Sequence, residues 1–491
     1  MSYTSLGFFI LVAACTCAYY LVKRSRRWIC LLLFSALYYA AAGPALLIFI
    51  LFAAFTTWVG AGYAARQKRA AVAIPLLLDF GVLAYLKYSP FVVSLLNLLP
   101  GIDLGLPRTL LPLGISFYTF QSAGYLLDVY WKRCEAEESF AKYLLFVGFF
   151  PQLMQGPIGR CGTLMPQLKD GNAFDMMHIR RGLLRICWGL FKKMLIADNA
   201  ALYVNRIFDD YLSLHAFGFQ GVLMYSVQLY MDFSGGIDIA LGIAELLGVR
   251  LDENFRQPFF AKDLTDFWHR WHITLGTWMK DYLFYPVSLS GWMGTLRRAA
   301  RKRFGKETGR AMAVGVANLI VFLAVGVWHG PAWHFLAYGL YNGLIISVSG
   351  LMTGTFRRIK KTLGISDSMP AFRAFQILRT FLIVNLSWFL DRSGSVRQAL
   401  IMLRDTFRGS FFSLTVIRAG DADYCLRHFL PIVIGCTVVL LVSIFKERKK
   451  DVLSFAAKLP LWVIPAAYAA VLIAAALYGN KDSGGFIYAN F

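Results

Sequence analysis

Residues 311–352 read AMAVGVANLIVFLAVGVWHGPAWHFLAYGLYNGLIISVSGLM, two apolar stretches joined at a His-Gly-Pro turn. Each stretch approaches the roughly 20 apolar residues that a helix needs to cross a bilayer. Basic residues crowd both outer flanks, at 297–310 and 357–361, and Lys and Arg concentrate on the cytosolic side of membrane proteins. The pattern predicts a membrane hairpin with both ends in the cytosol. Its turn places His329 deep in the membrane or toward the outer face.

The composition extends this prediction to the whole chain. Of the 491 residues, 58% are hydrophobic and 16% are charged, and the mean hydropathy is +0.55. Soluble domains have about 45–50% apolar and about 25% charged residues, so a water-soluble globule is excluded. Apolar stretches run almost end to end, without an internal repeat or a long linker. We therefore predict an all-α polytopic membrane protein with a single membrane domain over 1–491.

The apolar stretches define candidate membrane spans at 7–22, 28–41, 44–62, 71–88, 110–130, 141–157, 181–200, 217–248, 311–328, 331–352, 373–391, 428–445 and 459–479. They predict roughly 11–13 membrane helices, some of them re-entrant. Within this set, 28–62 is expected to form a hairpin that turns at Gly43-Pro44. Residues 249–310 mix aromatic and charged side chains, which indicates cytoplasmic or interfacial helices. Residues 392–427 are polar enough for an extracytoplasmic loop.

Charge is concentrated between the apolar stretches. The formal net charge is +22, but the basic residues lie in short runs beside candidate spans, which favours membrane lipids over nucleic acid as partners. Residues 1–7 carry no positive charge and a basic run follows at 23–27, so we expect the N-terminus to lie outside the cytosol. The eight cysteines are scattered without a C-x-x-C pair, which indicates neither a zinc site nor a disulfide framework.

His329 is the leading candidate for chemistry. An ionisable residue inside a membrane is costly and is a functional candidate by default, and imidazole can exchange a proton near neutral pH. Gly330-Pro331 would end the helix and leave backbone groups that need a polar cavity. A structural histidine bonded to a nearby carbonyl explains the same position equally well.

Three other histidines allow a metal-binding or a structural interpretation. His269 and His272 are three residues apart and would share a helix face, but no third ligand is evident, so no metal site is predicted. His334 is expected to be structural. Gly339 and Gly343 form a G-x-x-x-G pattern that favours close helix packing over a dimer interface.

Three acids, Asp232, Asp238 and Glu245, interrupt the apolar run 217–248. They indicate a buried polar network or a helix break at Ser234-Gly235-Gly236. Capping and packing around such a break is favoured over a proton or ion path.

Six motifs together carry a resemblance to a known family, and they occur in the order Leu111–Gln121, Phe149–Ile158, Tyr230–Gly235, Phe267–Ile273, Trp278–Leu283 and Val327–Gly330. The chain resembles the membrane-bound O-acyltransferase family, and within it the bacterial branch typified by the membrane subunit of alginate O-acetylation. The aromatic ending Phe486–Phe491 is similar to that branch as well. No soluble-enzyme signature such as G-x-S-x-G or a phosphate-binding loop is present.

The resemblance implies a helical fold with a central tunnel between two funnels. It places the family's near-invariant histidine at His329, as general base, and a second histidine at His272, near the cytoplasmic entrance. It implies no permanently bound cofactor, an acyl thioester such as acetyl-CoA as co-substrate, an extracytoplasmic partner protein, and a polysaccharide or cell-wall polymer as acceptor. The expected location is the bacterial inner membrane.

Alternatives remain open at this stage. Transfer of D-alanine to teichoic acid belongs to a neighbouring branch of the same family. A transporter or flippase of a lipid-linked sugar would explain the intramembrane acids, although the paired repeats common in transporters are not visible. A structural scaffold for polysaccharide assembly would turn over no thioester.

Overall fold

A computed structural model describes residues 2–66, 68–107, 109–408, 422–480 and 485–487, and within these ranges the chain is helical, with one isolated β-bridge between Phe255 and Trp271. The α-helices are α1 Leu6–Leu21, α2 Arg27–Ala40, α3 Leu47–Ala64, α4 Ala70–Leu96, α5 Ile115–Tyr130, α6 Phe140–Gly148, α7 Phe150–Leu153, α8 Cys161–Asp170, α9 Met176–Leu190, α10 Asp198–Asp209, α11 Tyr211–Leu214, α12 Gly218–Leu246, α13 Leu264–Trp268, α14 Ile273–Met279, α15 Tyr285–Leu289, α16 Gly291–Phe304, α17 Lys306–His329, α18 Trp333–Leu351, α19 Thr353–Thr362, α20 Pro370–Arg392, α21 Val396–Thr406, α22 Ala422–Glu447, α23 Val452–Ala457 and α24 Val463–Tyr478. Two π-helical segments, Phe191–Ala197 and Lys280–Phe284, connect neighbouring helices. Short 3-10 turns lie at Arg24–Arg26, Pro44–Leu46, His215–Phe217 and Pro258–Phe260.

Four helices are long and apolar enough to cross a membrane among the described residues, namely Pro44–Ala64, Ala70–Leu96, Lys306–His329 and Arg427–Glu447. α18 and α19 would make a fifth span if this pair, bent by 57°, is counted as one. The number is below the predicted 11–13 because several predicted spans are divided into shorter helices. The predicted span 141–157, for example, breaks at Phe149, between α6 and α7. The chain is nevertheless an all-α polytopic membrane protein, as predicted.

The contacts of the chain divide it into two compact units. The first comprises Met1–Ala200, Val227–Glu253 and Gly420–Phe491, and the second comprises Ala201–Ser226 and Asn254–Ala419.

The first unit has the predicted turn at Gly43-Pro44, although α2 and α3 pack mainly against other helices rather than on each other. α2 and α3 are joined by a turn in which Gly43 has a φ of 157° and Pro44 begins a short 3-10 segment.

α5 begins directly after Gly114, whose φ is +69°. A side chain there would collide with the carbonyl oxygen of Leu153. The two motifs around Gly114 and Leu153 are therefore packed directly on each other.

Glycines also let α9 approach α12 closely within the first unit. A Cβ added at Gly182 would lie 2.7 Å from the carbonyl oxygen of Gly242, and one at Gly189 would lie 2.5 Å from that of Gly235. α12 runs unbroken through Ser234–Gly236, so the predicted helix break there is wrong. The glycines provide close packing, and the backbone hydrogen bonds of a continuous helix need no break.

This close approach creates the polar network that the three acids of α12 indicated. Asp238 accepts from Arg185 at 2.9 Å and from Lys192 at 2.6 Å, and Glu245 lies 2.7 Å from Arg181. A buried carboxylate is costly unless it is paired. Each acid has a basic partner in α9 or in the π-helical segment that follows it. The network accounts for these acids without an ion path.

The third acid of α12 also holds the C-terminal end of the described chain. Asp232 lies 2.6 Å from Lys193 and accepts a hydrogen bond from the backbone N–H of Ile487 at 2.9 Å. Phe486 is fully buried, and the Lys193 Nζ lies 4.7 Å from the centre of its ring. Phe486 and Ile487 are thus held against the core of the first unit beside a buried ion pair.

The second unit is built on the predicted hairpin of α17 and α18. A Cβ at Gly326 would lie 2.5 Å from the carbonyl oxygen of Phe335, and one at Gly339 would collide with that of Phe322. Gly343 faces Leu319 across the same hairpin. The glycines therefore bring the two helices together inside one chain, which confirms the packing interpretation.

The remaining segments of the second unit are shorter. Residues 254–290 form the small helices α13 to α15, and α16 then folds back on α17 through Met293, Ala313 and Ala317. In the predicted loop 392–427, α21 is helical and residues 409–421 lie outside the described residues.

Candidate active site

His329 is the last residue of α17, and the extended backbone of Gly330 and the following Pro331 end the helix immediately after it. The side chain is 6% exposed. Phe335 and Tyr338, on the returning helix α18, pack on its ring with centroid distances of 5.8 Å and 5.1 Å. The sequence pattern that ends α17 therefore places the imidazole in an aromatic enclosure.

A carboxylate from a third helix faces this imidazole. The Nδ1 of His329 lies 3.2 Å from Oδ1 of Asp391, which is near the end of α20 and is itself buried. The other oxygen of Asp391 accepts a hydrogen bond from the hydroxyl of Tyr225 at 2.8 Å. Tyr225 is therefore hydrogen-bonded to Asp391, and Asp391 lies within ion-pair distance of His329, which links α12, α20 and α17.

A second buried contact holds two of these helices in register. The hydroxyl of Ser226 donates to Oδ1 of Asn385 at 2.9 Å, and Nδ2 of Asn385 donates to the carbonyl of Phe381. Because Ser226 follows Tyr225 directly, this bond and the Tyr225–Asp391 bond fix the start of α12 against α20 at neighbouring points.

The second predicted histidine lies at a strained turn. His272 has a φ of +46°, in the left-handed region that non-glycine residues rarely adopt, and such strain concentrates at functional sites. Its Nδ1 is 3.3 Å from Oδ1 of Asn254, which also accepts from the backbone N–H and the hydroxyl of Thr274. Because this oxygen only accepts, the contact favours the tautomer of His272 that carries the proton on Nδ1.

The two histidines belong to one site. The ring of His272 packs on Trp328 at 5.7 Å, and Trp328 immediately precedes His329. Burial, and secondarily the charge that His329 carries when protonated, lowers the pKa of His272 to about 3. His272 is therefore neutral at physiological pH and cannot serve as an acid there.

The other predicted histidines lie apart from this chemistry. His269 is exposed and ends α13, whereas His272 is buried and begins α14. The prediction that they share a helix face is wrong, because the chain turns between them. Nδ1 of His334 lies 2.9 Å from the carbonyl of Leu390, which agrees with a structural role.

The arrangement has the parts that acyl transfer requires. A carboxylate on Nδ1 orients an imidazole and favours the tautomer whose Nε2 can accept a proton, which is the logic of a nucleophile–base–carboxylate system. In acyl transfer to an alcohol, the nucleophile that such a base activates is the hydroxyl of the substrate. The site therefore suits general-base activation of a hydroxyl.

Comparisons with known proteins point in the same direction. The family model of the membrane-bound O-acyltransferases, MBOAT, matches residues 136–299. The probable alginate O-acetylase AlgI of Pseudomonas aeruginosa is 30% identical over 82% of this chain and 74% of its own length. The chain belongs to the membrane-bound O-acyltransferase family. This MBOAT protein is also 34% identical to the peptidoglycan O-acetyltransferase of Helicobacter pylori, over 69% of this chain and 64% of that protein.

A more distant relative of this MBOAT protein is the teichoic acid D-alanyltransferase of Bacillus subtilis, which is 28% identical over 48% of this chain and 58% of its own length. The three relatives are named for acyl transfer to teichoic acid, alginate and peptidoglycan. The MBOAT protein is accordingly an O-acyltransferase. The matched range of the family model includes His272 and Asn254, whereas His329 and Asp391 lie beyond it.

Sequence reasoning missed Asp391 and Tyr225 in this O-acyltransferase. Asp391 is the last residue of the predicted span 373–391, where an acid looks like the polar edge of a membrane helix. Tyr225 lies inside the apolar run 217–248 and resembles any other aromatic residue. The one available signal was the rarity of acids within apolar helices, which was applied to α12 and could also have been applied to α20.

Proposed function

We propose that this protein transfers an acetyl group from a cytosolic acyl thioester, most simply acetyl-CoA, for O-acylation of an extracytoplasmic polysaccharide or cell-wall polymer. The observation that carries the proposal is the buried chain of Tyr225, Asp391 and His329. The acetyl group is proposed because two relatives that resemble the chain over most of its length are named for O-acetylation.

In this proposal His329 is the general base. Its Nε2 takes the proton of an acceptor hydroxyl, while Nδ1 stays directed at Asp391. The hydroxyl oxygen forms a bond to the thioester carbonyl carbon, the carbon–sulfur bond breaks, and the thiolate leaves. The proton held by His329 then passes to the thiolate, which returns the site to its starting state.

His272 would assist without changing its charge. Its lowered pKa keeps the ring neutral, and the contact with Asn254 fixes the orientation of the ring. A neutral ring held beside Trp328 can line the path of the donor. This is a supporting role at the cytoplasmic entrance rather than proton transfer.

The remaining proposals follow from the direction of transfer. A charged thioester carrier cannot cross a bilayer, so the donor would approach from the cytosol, and the exposed basic residues of α16 and α19 could attract it. A partner protein outside the membrane would deliver the group to the polymer. We propose the bacterial inner membrane as the location, with the N-terminus outside, and no permanently bound cofactor.

Radiolabelled acetyl-CoA tests the proposal directly. Membranes that contain the chain and its extracytoplasmic partner are incubated with the label, and protein and polymer fractions are counted. We expect label to appear with the wild type and with His269→Ala, a matched control at an exposed histidine, and to be lost with His329→Ala. Full transfer by a folded His329→Ala variant would contradict the base assignment.

Transfer of D-alanine is the second candidate, because the family relatives include teichoic acid D-alanyltransferases. The same assay with a D-alanyl thioester donor separates the two. Label from D-alanine but not from acetyl-CoA would assign the chain to that reaction, with the same histidine as base.

A further inference from the structure

Trp388 lies between residues of the candidate site, although nothing about its position in the chain indicated a functional role. It lies on α20 three residues before Asp391, so both side chains project from the same side of the helix. Its ring stacks on Tyr338 with a centroid distance of 6.1 Å and meets Tyr225 edge-on at 6.1 Å. Tyr338 packs on His329, and Tyr225 donates to Asp391. Trp388 therefore contacts one neighbour of His329 and one neighbour of Asp391.

The indole N–H of Trp388 is buried without a hydrogen-bond acceptor in the part of the chain that the structure describes. The residue is 1% exposed, and an indole nitrogen can only donate. Leaving a buried donor unmatched is costly, and each such group in a folded protein calls for an explanation. A ligand that brings its own acceptor atom provides one.

Neighbouring donors are already engaged. The hydroxyl of Tyr225 donates to Asp391, and the amide of Asn385 donates to the carbonyl of Phe381. The protons of these groups are committed to holding the helices and the carboxylate in place. The N–H of Trp388, unlike these two groups, has no acceptor among the residues that the structure describes.

We propose that the N–H of Trp388 donates a hydrogen bond to the carbonyl oxygen of the acyl group during transfer. This inference rests on the proposed function. When the acceptor hydroxyl attacks, the carbonyl electron pair moves onto oxygen, and the resulting oxyanion later reforms the carbonyl as the thiolate leaves. Trp388 keeps its proton throughout and stabilises the oxyanion by donation.

A neutral donor suits this position. A cation would pair with Asp391 and draw the carboxylate away from His329, whereas an indole N–H cannot form an ion pair. Fixed donors aimed at developing negative charge are most effective in a site shielded from water, where no solvent needs to reorganise. The stacked rings of Tyr338 and Trp388 keep the donor rigid.

Site-specific replacement of Trp388 by 3-benzothienylalanine tests the inference, because sulfur replaces the N–H while the ring size is kept. We expect kcat with acetyl-CoA to fall by about 10²–10³-fold, as on removal of one oxyanion donor, with little change in KM. An unchanged kcat would overturn the inference. The same replacement at Trp462, which is 69% exposed, is the matched control and should leave kcat unchanged.

A second set of variants keeps the test decisive if sulfur at 388 impairs folding. Fluorinated tryptophans at position 388 retain the N–H and make it more acidic, so kcat should rise with N–H acidity, and a kcat independent of acidity would overturn the inference. His329→Ala separates the two proposals. Activity in that variant contradicts the proposed function, whereas an inactive His329→Ala beside a fully active benzothienyl variant contradicts the Trp388 inference alone.

Discussion

At the scale of single residues, the proposed mechanism requires Asp391 to position His329, whose Nδ1 lies 3.2 Å from its Oδ1. Asp391→Asn keeps the shape of the side chain but removes the charge that favours an Nδ1 proton and stabilises the imidazolium. We expect kcat for acyl transfer to fall by roughly 10²–10⁴-fold, the usual contribution of general-base catalysis, with KM for the donor little changed. Tyr225→Phe retains the carboxylate and loses one hydrogen bond of about 1.5–3 kcal/mol, so its defect should be smaller.

The matched control for this series is Asp367→Asn. Asp367 pairs with Lys360 on an exposed surface of the same unit, so its loss should leave kcat at the wild-type value. If Asp391→Asn folds and turns over the thioester as fast as Asp367→Asn, the carboxylate does not position the base.

His272 gives a pH prediction at the same scale. Its folded pKa of about 3 lies below the roughly 6.5 of an unfolded chain, so the unfolded state binds more protons between these values. Stability from this group is complete above about pH 6.5 and is lost as the pH falls, by about 2 kcal/mol at pH 5. His272→Gln should therefore lose less thermal stability between pH 7.5 and pH 5 than wild type, each measured in detergent.

The exposed His269 supplies the comparison. His269→Gln removes an exposed imidazole outside the site, and its melting temperature should change with pH as that of the wild type does. An identical pH dependence in the wild type and in His272→Gln would show that His272 does not control acid stability.

At the scale of helices, close packing at glycine explains how the polar network of the first unit forms. Gly189→Ala places a methyl group about 2.5 Å from the carbonyl of Gly235, and overpacking of this kind costs about 1–3 kcal/mol. We expect a lower melting temperature in detergent. Gly62→Ala, in α3 where nothing lies within 4 Å, should be neutral or stabilising because Ala favours helix. Equal melting temperatures of the two variants would contradict the packing argument.

The helices also show what the sequence could and could not reveal. The hairpins at Gly43-Pro44 and at His329-Gly330-Pro331 were predictable because each turn carries local residues that end a helix. Gly235 and Gly236 also look like helix-ending residues in the sequence, yet α12 continues through them. The glycines there allow α9 to pack closely, and the local sequence does not show that contact. Asp391 was hidden for the same reason. Its partner lies on another helix, and a pairing between distant segments leaves no periodicity in either one.

At the scale of the whole molecule, the net charge of +22 conceals a set of buried pairs. Surface lysines and arginines account for the excess, while Arg185, Lys192 and Lys193 are committed to acids inside the first unit. Lys193 touches Asp198, Asp232 and the carbonyl of Gly485. Composition therefore located the chain in a membrane correctly, but it could not distinguish lipid-facing charge from charge that organises the core.

The coupling of this buried cluster is measurable. Lys193→Met leaves the carboxylates of Asp198 and Asp232 without this cation, and breaking a buried pair on one side costs about 3–5 kcal/mol. Lys193→Met combined with Asp232→Asn removes one of those charges and still offers an amide oxygen to the N–H of Ile487. The double variant should therefore melt at a higher temperature than the single variant.

In the same experiment, Glu245→Gln measures the loss of melting temperature when a partly exposed ion pair is removed. Its partner Arg181 is partly exposed, and such pairs contribute about 0–1 kcal/mol, so its melting temperature should stay near that of the wild type. Strictly additive losses in the double variant would mean that Lys193 and Asp232 act independently. A coupled result, with faster proteolysis near Phe486 in Lys193→Met alone, would show that one buried cation holds Phe486 and Ile487 in the core.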